Sequence, residues 1–213
     1  MLDAVRTWQE YSSFLVGLIA ILDPFIAVPL FLSLTVNRTL NERRRTARIV
    51  ALTVLGVLIG AALAGEAILQ LMGGSLASFR VGGGLVLLLM ALAMLNARPG
   101  DVRQTAEETN AMEQGAGHGV VPLAIPLLAG PGAISTVIVA SHGGGIVHQL
   151  IVVACIVLAC AVLWLILAVA APIGRRMGTT GLNIATRLLG LLLAAFAIES
   201  MAIGLKALFP ALG

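Results

Sequence analysis

Asp23 is the residue best placed to do chemistry in this chain. It stands inside an apolar run, Leu22-Asp23-Pro24-Phe25-Ile26-Ala27-Val28-Pro29. A carboxylate there can receive an ammonium group, bind a cation or carry a proton. It can equally cap a helix that starts at Pro24, and the two roles are compatible. A second run, Leu128-Ala129-Gly130-Pro131-Gly132-Ala133-Ile134-Ser135-Thr136, sets another proline among glycines and hydroxyls. Proline lacks a backbone N–H and clashes with the preceding turn, so each run predicts a broken helix. Asp23 and Gly130, as residues before proline, are biased toward extended backbone. A new helix beginning at Pro24 or Pro131 presents unpaired N–H groups and a partial positive charge. Two such ends suit an anionic group such as a carboxylate. The plainer alternative is a pair of ordinary proline kinks. The expected binding set is Asp23, Pro24, Phe25, Gly130, Pro131, Gly132, Ser135 and Thr136.

Of the other charged residues in or beside apolar stretches, Glu66 reads as reaching the interface near the outer end of its span, while Arg80, Arg187 and Glu199 stand as candidates for gating or coupling. Each also has a bland reading. The arginines serve as interfacial anchors, and Glu199 as a hydrogen-bonded packing group. Catalytic and metal roles have no candidates: His118, His142 and His148 are scattered. Cys155 and Cys160 read as packing thiols, and Gly143-Gly144-Gly145 lacks the Lys and Ser/Thr of a phosphate loop. No nucleophile–base pair stands out, so the chain is not expected to be an enzyme or to need a cofactor.

The elements that position these residues follow from composition. Of 213 residues 59% are apolar and 11% charged, with mean hydropathy +1.04. Soluble domains run near 45–50% apolar and about 25% charged, so the expected solvent is lipid. Six stretches come near the ~20 residues that cross a bilayer: Ser12–Thr35, Ile49–Leu71, Phe79–Leu95, Val120–Ala140, Gln149–Ile173 and Arg187–Leu208. Gly56, Gly60 and Ala64 make a small-residue stripe, and Gly82-Gly83-Gly84 allows a backbone to come close; both suit helix packing. Ten arginines (38, 43, 44, 45, 48, 98, 103, 175, 176 and 187) fall on one side of these spans. Arg6, Arg80 and Lys206 fall on the other. Positive residues favour the cytoplasm, so both termini are expected outside, in the periplasm of a bacterial inner membrane. The net charge of +3 reflects these loops and not a nucleic-acid surface.

An offset of 107 residues superposes Pro24 on Pro131, Gly74 on Gly181, Arg80 on Arg187 and Gly83 on Gly190. Each half holds three spans, and an odd number inverts the second half relative to the first. The expected fold is therefore an all-α membrane protein, a single domain over 1–213. Repeat one covers 1–95, a cytoplasmic linker 96–119 and repeat two 120–213. The first and fourth helices are broken near the midplane. Inverted repeats of this kind are common in secondary transporters.

Asp23-Pro24, Pro29-Leu30-Phe31-Leu32, Phe79-Arg80-Val81-Gly82-Gly83-Gly84, the run Pro122–Thr136 and Arg187-Leu188-Leu189-Gly190-Leu191 together resemble the MarC family of bacterial membrane proteins. The resemblance covers nearly the whole chain. It implies a six-helix inner-membrane protein related to LysE-type exporters, with some relatives similar to transporters of glycine and alanine. One departure is Phe25-Ile26-Ala27, where family members often place a glycine; it changes the shape of the first half-site. The expected activity is transport of small neutral amino acids or similar metabolites. A drug exporter, a channel-like pore and a non-transporting scaffold remain as alternatives. The expected partners are the lipid bilayer and a small zwitterionic solute. A coupling ion (proton or sodium) and a homo-oligomer stay open.

Overall fold

A computed structural model describes residues 2–35, 38–71, 75–96, 128–142 and 145–209. All regular structure among them is helical. In chain order the helices are α1 (Leu2–Leu22), α2 (Pro24–Leu34), α3 (Leu40–Leu71), α4 (Leu76–Leu95), α5 (Pro131–Ser141), α6 (Ile146–Ala168) and α7 (Ala170–Leu208). By length and composition, five candidate membrane spans lie among the described residues, together with the shorter apolar helix α5. The expected fourth span is thus represented by its second half. Its residues 120–127 and linker residues 97–119 lie outside the described residues.

The first predicted break is present. α1 ends at Leu22 and α2 starts at Pro24. Pro24 cannot give the bond that a continuous helix would send to Ala20, and the Ile26 N–H turns instead to Asp23 Oδ1 at 3.3 Å. Asp23 is left-handed (φ 39°, ψ 70°), not extended as a residue before proline is expected to be. It is the one non-glycine residue with positive φ among the described residues. Asp tolerates this region because its short side chain can bond to nearby backbone. Gly130 does take the extended form (φ −64°, ψ 176°) ahead of Pro131.

Two helices run beyond their predicted starts. α3 begins at Leu40, so Arg43, Arg44, Arg45 and Arg48 are helical and not in a loop. A capping box explains this: the Thr39 N–H and hydroxyl both donate to Glu42 Oε2, at 2.8 and 2.7 Å, while the Glu42 N–H donates to Thr39 Oγ1 at 3.4 Å. Arg43 Nε then donates to the Thr35 carbonyl at 3.0 Å, closing the end of α2. α7 likewise begins at Ala170, placing Arg175 and Arg176 on helix. Its interruption is Gly178 (φ 58°, ψ −173°), a conformation open to glycine without steric cost.

The helices bury one contiguous apolar core, with Leu18, Leu22, Val28, Val54, Leu58, Leu87, Ile156, Leu163 and Leu193 among its least exposed members. α4 and α7 form the most extensive pair. They run antiparallel, because Gly204 lies against Ala77 while Gly190 lies against Ala91. A Cβ on Gly204 would sit 2.8 Å from the Ala77 carbonyl oxygen, and one on Gly84 would sit 3.0 Å from that of Ala197. These glycines let two backbones touch, the packing mode expected where lipid offers no hydrophobic drive between helices. Gly56 and Gly60 are different: both are exposed, with open space beyond them. Their stripe takes no part in packing among the described residues. The outward faces carry Leu52, Leu63, Leu85, Leu89, Leu150, Leu165, Leu188 and Leu191, each at least 48% exposed. So much exposed leucine suits hydrocarbon and not water.

Two polar ties join the helices near one end. The Gln149 amide donates to the Ala62 carbonyl at 3.1 Å, fastening α6 to α3. His148 lies 2.8 Å from the Ala140 carbonyl through Nε2 and 2.7 Å from the Tyr11 hydroxyl through Nδ1. A carbonyl only accepts, so Nε2 carries a proton and donates to Ala140, while Nδ1 shares a hydrogen bond with the Tyr11 hydroxyl. This chain links α1, α5 and α6. Nothing in the sequence pairs Tyr11 with His148, which are 137 residues apart.

Candidate functional site

The candidate site residues stand at two helix starts. α2 and α5 are both 11 residues long, and both begin with proline. Their surroundings differ. Asp23 is completely buried, and its carboxylate caps α2 by accepting from Ile26. That bond satisfies one of the donors that a helix start leaves without an intrahelical partner. No side chain caps α5. Pro131 has no N–H, so the first-turn donors of α5 are those of Gly132 and Ala133, and both residues are buried. Buried backbone donors call for acceptors. Of the two starts, α5 is therefore the one equipped to take an anion.

α4 lines this second start. A Cβ on Gly132 would lie 2.8 Å from Leu87 Cδ2 and 2.9 Å from Met90 Sδ. A Cβ on Gly83 would lie 2.7 Å from Ser135 Oγ. Ser135 and Thr136 are buried, and both hydroxyls donate to the Gly132 carbonyl, at 3.0 and 2.9 Å. Their protons are engaged within the helix, so what they have left to offer a ligand is acceptor capacity. Sequence reasoning missed Leu87 and Met90. Nothing in an apolar run singles out which leucine faces a helix start more than forty residues away.

The remaining candidates are placed as follows. Phe25 is half-buried and packs against the core beside Asp23. Gly130 is half-buried and Pro131 exposed. Arg80 is half-buried in the second turn of α4. Its Nε is enclosed with no hydrogen-bond partner among the described residues, and its carbonyl accepts weakly from Ser200 at 3.5 Å. Arg187 and Glu199 are both exposed on α7, away from the face that carries Gly190 and Ala197. The helix packing therefore lends a gating role to neither. Among the described residues no cluster of His, Cys, Asp or Glu could hold a metal ion.

Long apolar helices, leucine on their outward faces and glycine-mediated helix contacts together define a multi-pass integral membrane protein. It belongs to the MarC family of integral membrane proteins, whose family model matches residues 8–209. It is 36% identical to the UPF0056 membrane protein YhcE of Escherichia coli, over all of this chain and 99% of that one. A UPF0056 membrane protein of Pyrococcus abyssi is 34% identical over 98% of this chain and 99% of its own. The UPF0056 membrane protein YvbG of Bacillus subtilis is 35% identical, covering 92% and 94%. No solved structure matches this chain.

Proposed function

We propose that this protein is a secondary transporter of the bacterial inner membrane for small neutral amino acids or similar zwitterionic metabolites, built as two inverted repeats. The observation that carries this reading is the pair of 11-residue helices, each opening with a proline inside an apolar stretch, at the 107-residue offset that also relates Arg80 to Arg187.

The packing supports the repeat. α2 packs against α7 and α6, while α5 packs against α4 and α3. Exchanging the two halves turns each of these sets into the other. The contact of Gly190 with Met94 becomes a contact of Gly83 with Met201, one residue from the Gly84–Met201 contact that is present. Each half has three spans, so the second would enter the membrane inverted, with both termini in the periplasm.

In this reading the substrate carboxylate takes the Gly132 and Ala133 N–H groups at the start of α5, where the helix dipole favours negative charge. Its ammonium goes to Asp23. Pro24, Phe25, Gly130, Pro131, Ser135 and Thr136 complete the walls. Leu87 and Met90 crowd Gly132, which limits the solute to small side chains and makes α4 the helix that must shift to admit it. Arg80, at the outer end of α4, is placed to follow that shift. A proton or sodium ion supplies the coupling.

Thermal unfolding of the purified protein across a panel of amino acids tests the site. A ligand at 100 times its Kd stabilises by about 2.7 kcal/mol, so glycine or alanine is expected to raise the transition by several degrees. Large lipophilic cations are expected to leave it unmoved. If they shift it and no amino acid does, the drug-exporter alternative replaces this reading.

A further inference from the structure

Glu199 lies well inside the expected sixth span yet is exposed among the described residues. At ~1.5 Å per residue it sits about 18 Å along the axis from Arg187 and about 10 Å from Lys206. It therefore lies at hydrocarbon depth. The buried side of α7 carries Thr186, Gly190, Leu193, Ala197 and Gly204. Glu199 is on the other side, in a stripe with Leu188, Leu192, Ala195 and Ala202. Leu188 and Leu192 are 61% and 51% exposed, and Ala195 and Glu199 are also exposed. Its carboxyl takes no hydrogen bond from any described residue. Lipid tails offer no partner, so a carboxyl left there costs roughly 2.5–3.5 kcal/mol on insertion scales.

We infer that this face of α7 docks on the same face of a second copy of the chain, Glu199 against Glu199, across a two-fold axis normal to the membrane. Three features select that occupant. The axis keeps depth unchanged, so it brings each residue of the stripe opposite its own counterpart. A neutral carboxyl has one O–H and one carbonyl oxygen, so two of them can each donate to the other, which makes Glu199 complementary to itself. Ala195 and Ala202, one turn to either side, are small enough for the two helices to approach until the carboxyls meet. On the neighbouring helix, Gly82 is exposed with open space beyond it, so it puts no side chain in the way. Lys206 ends the stripe toward water, where its long stem can turn outward. The inference is independent of what the protein transports.

Disulfide cross-linking of Ala195→Cys tests it, in a background where Cys155 and Cys160 are replaced by serine and alanine, with purified protein in liposomes. The expected result is an efficient cross-linked dimer, whereas Leu89→Cys, on the outward face of α4, gives none. Glu199→Gln keeps a donor and an acceptor and should preserve the dimer. Glu199→Leu should weaken the association about tenfold, the scale of an interhelical hydrogen bond in a membrane. Absence of the Ala195→Cys dimer would overturn the proposal. So would equal dimerisation of the leucine variant, or cross-linking that occurs in native membranes only and to a different protein.

Discussion

At the residue scale, Asp23 combines two demands that are usually met by different residues. Its backbone must turn left-handed at the end of α1, and its side chain must accept from Ile26 at the start of α2. Asn can do both, since it tolerates the left-handed region and its amide oxygen accepts the same bond. Asp23→Asn is therefore expected to unfold within about 1 kcal/mol of the parent protein. Asp23→Leu loses the cap and keeps the strain, so it should cost about 2 kcal/mol or more. Chemical denaturation in mild detergent measures both; equal loss in the two variants would remove the capping role. The importance of Asp23 was legible in the sequence because an acid beside a proline in an apolar run has few uses. Its left-handed backbone was not, because the proline rule points to extended structure and only the bond to Ile26 overrides it.

At the element scale, the break at Pro24 and the helix start at Pro131 were legible because proline acts locally. The early start of α3 was not expected because the charged run from Glu42 to Arg48 lies outside the apolar stretch, although Thr39-x-x-Glu42 is a capping signature. That signature carries a pH prediction. Hydrogen bonds from the Thr39 backbone N–H first, and from its hydroxyl second, hold the Glu42 carboxyl below its ordinary value of 4.5, with Arg38 adding a smaller pull. The folded state thus holds this proton less tightly than the unfolded chain does. The cap's contribution is complete above about pH 4.5 and fades as pH falls through the lower folded value. Hydrogen exchange at the first turn of α3 should accelerate over that acidic range, and in Thr39→Ala it should be fast already at neutral pH. An exchange rate that ignores both changes would mean that the turn is held by something else. The glycines of the α4–α7 seam make a second prediction at this scale. A side chain at Gly204 meets the Ala77 backbone, so Gly204→Leu must separate the helices and should cost about 1–3 kcal/mol as overpacking. Gly60→Leu, with open space around it, should cost little. The sequence could flag both as small residues, but only the packing tells them apart.

At the scale of the whole molecule, the six-span count rested on hydropathy and the two halves on a few matched landmarks. Hydropathy is a strong signal because lipid tolerates little else. The proposed repeat is faint in the sequence because the likeness between the halves is one of shape, 11-residue helices and glycine seams, more than of residue identity. Which side chains line the start of α5 was beyond the sequence altogether, since Leu87 and Met90 reach it through tertiary packing. The proposed inverted arrangement has a direct consequence for topology. Cysteines introduced at Arg44 and at Gly145 are expected to label from opposite sides of the membrane, Arg44→Cys from the cytoplasm. Labelling from one side would contradict the three-span halves.

Uptake into proteoliposomes shows whether the starts of α2 and α5 hold a small zwitterion. Radiolabelled glycine and alanine should enter saturably and compete with each other. Asp23→Asn, still folded, should bind about ten- to a hundredfold more weakly through loss of one charge-assisted contact of about 1.5–3 kcal/mol. Gly132→Val should also fail, because a side chain there collides with Leu87 and Met90, whereas Cys155→Ser should transport normally. If a folded Asp23→Asn protein carries glycine and alanine as well as the parent does, Asp23 is a structural cap alone and the site proposed here is wrong.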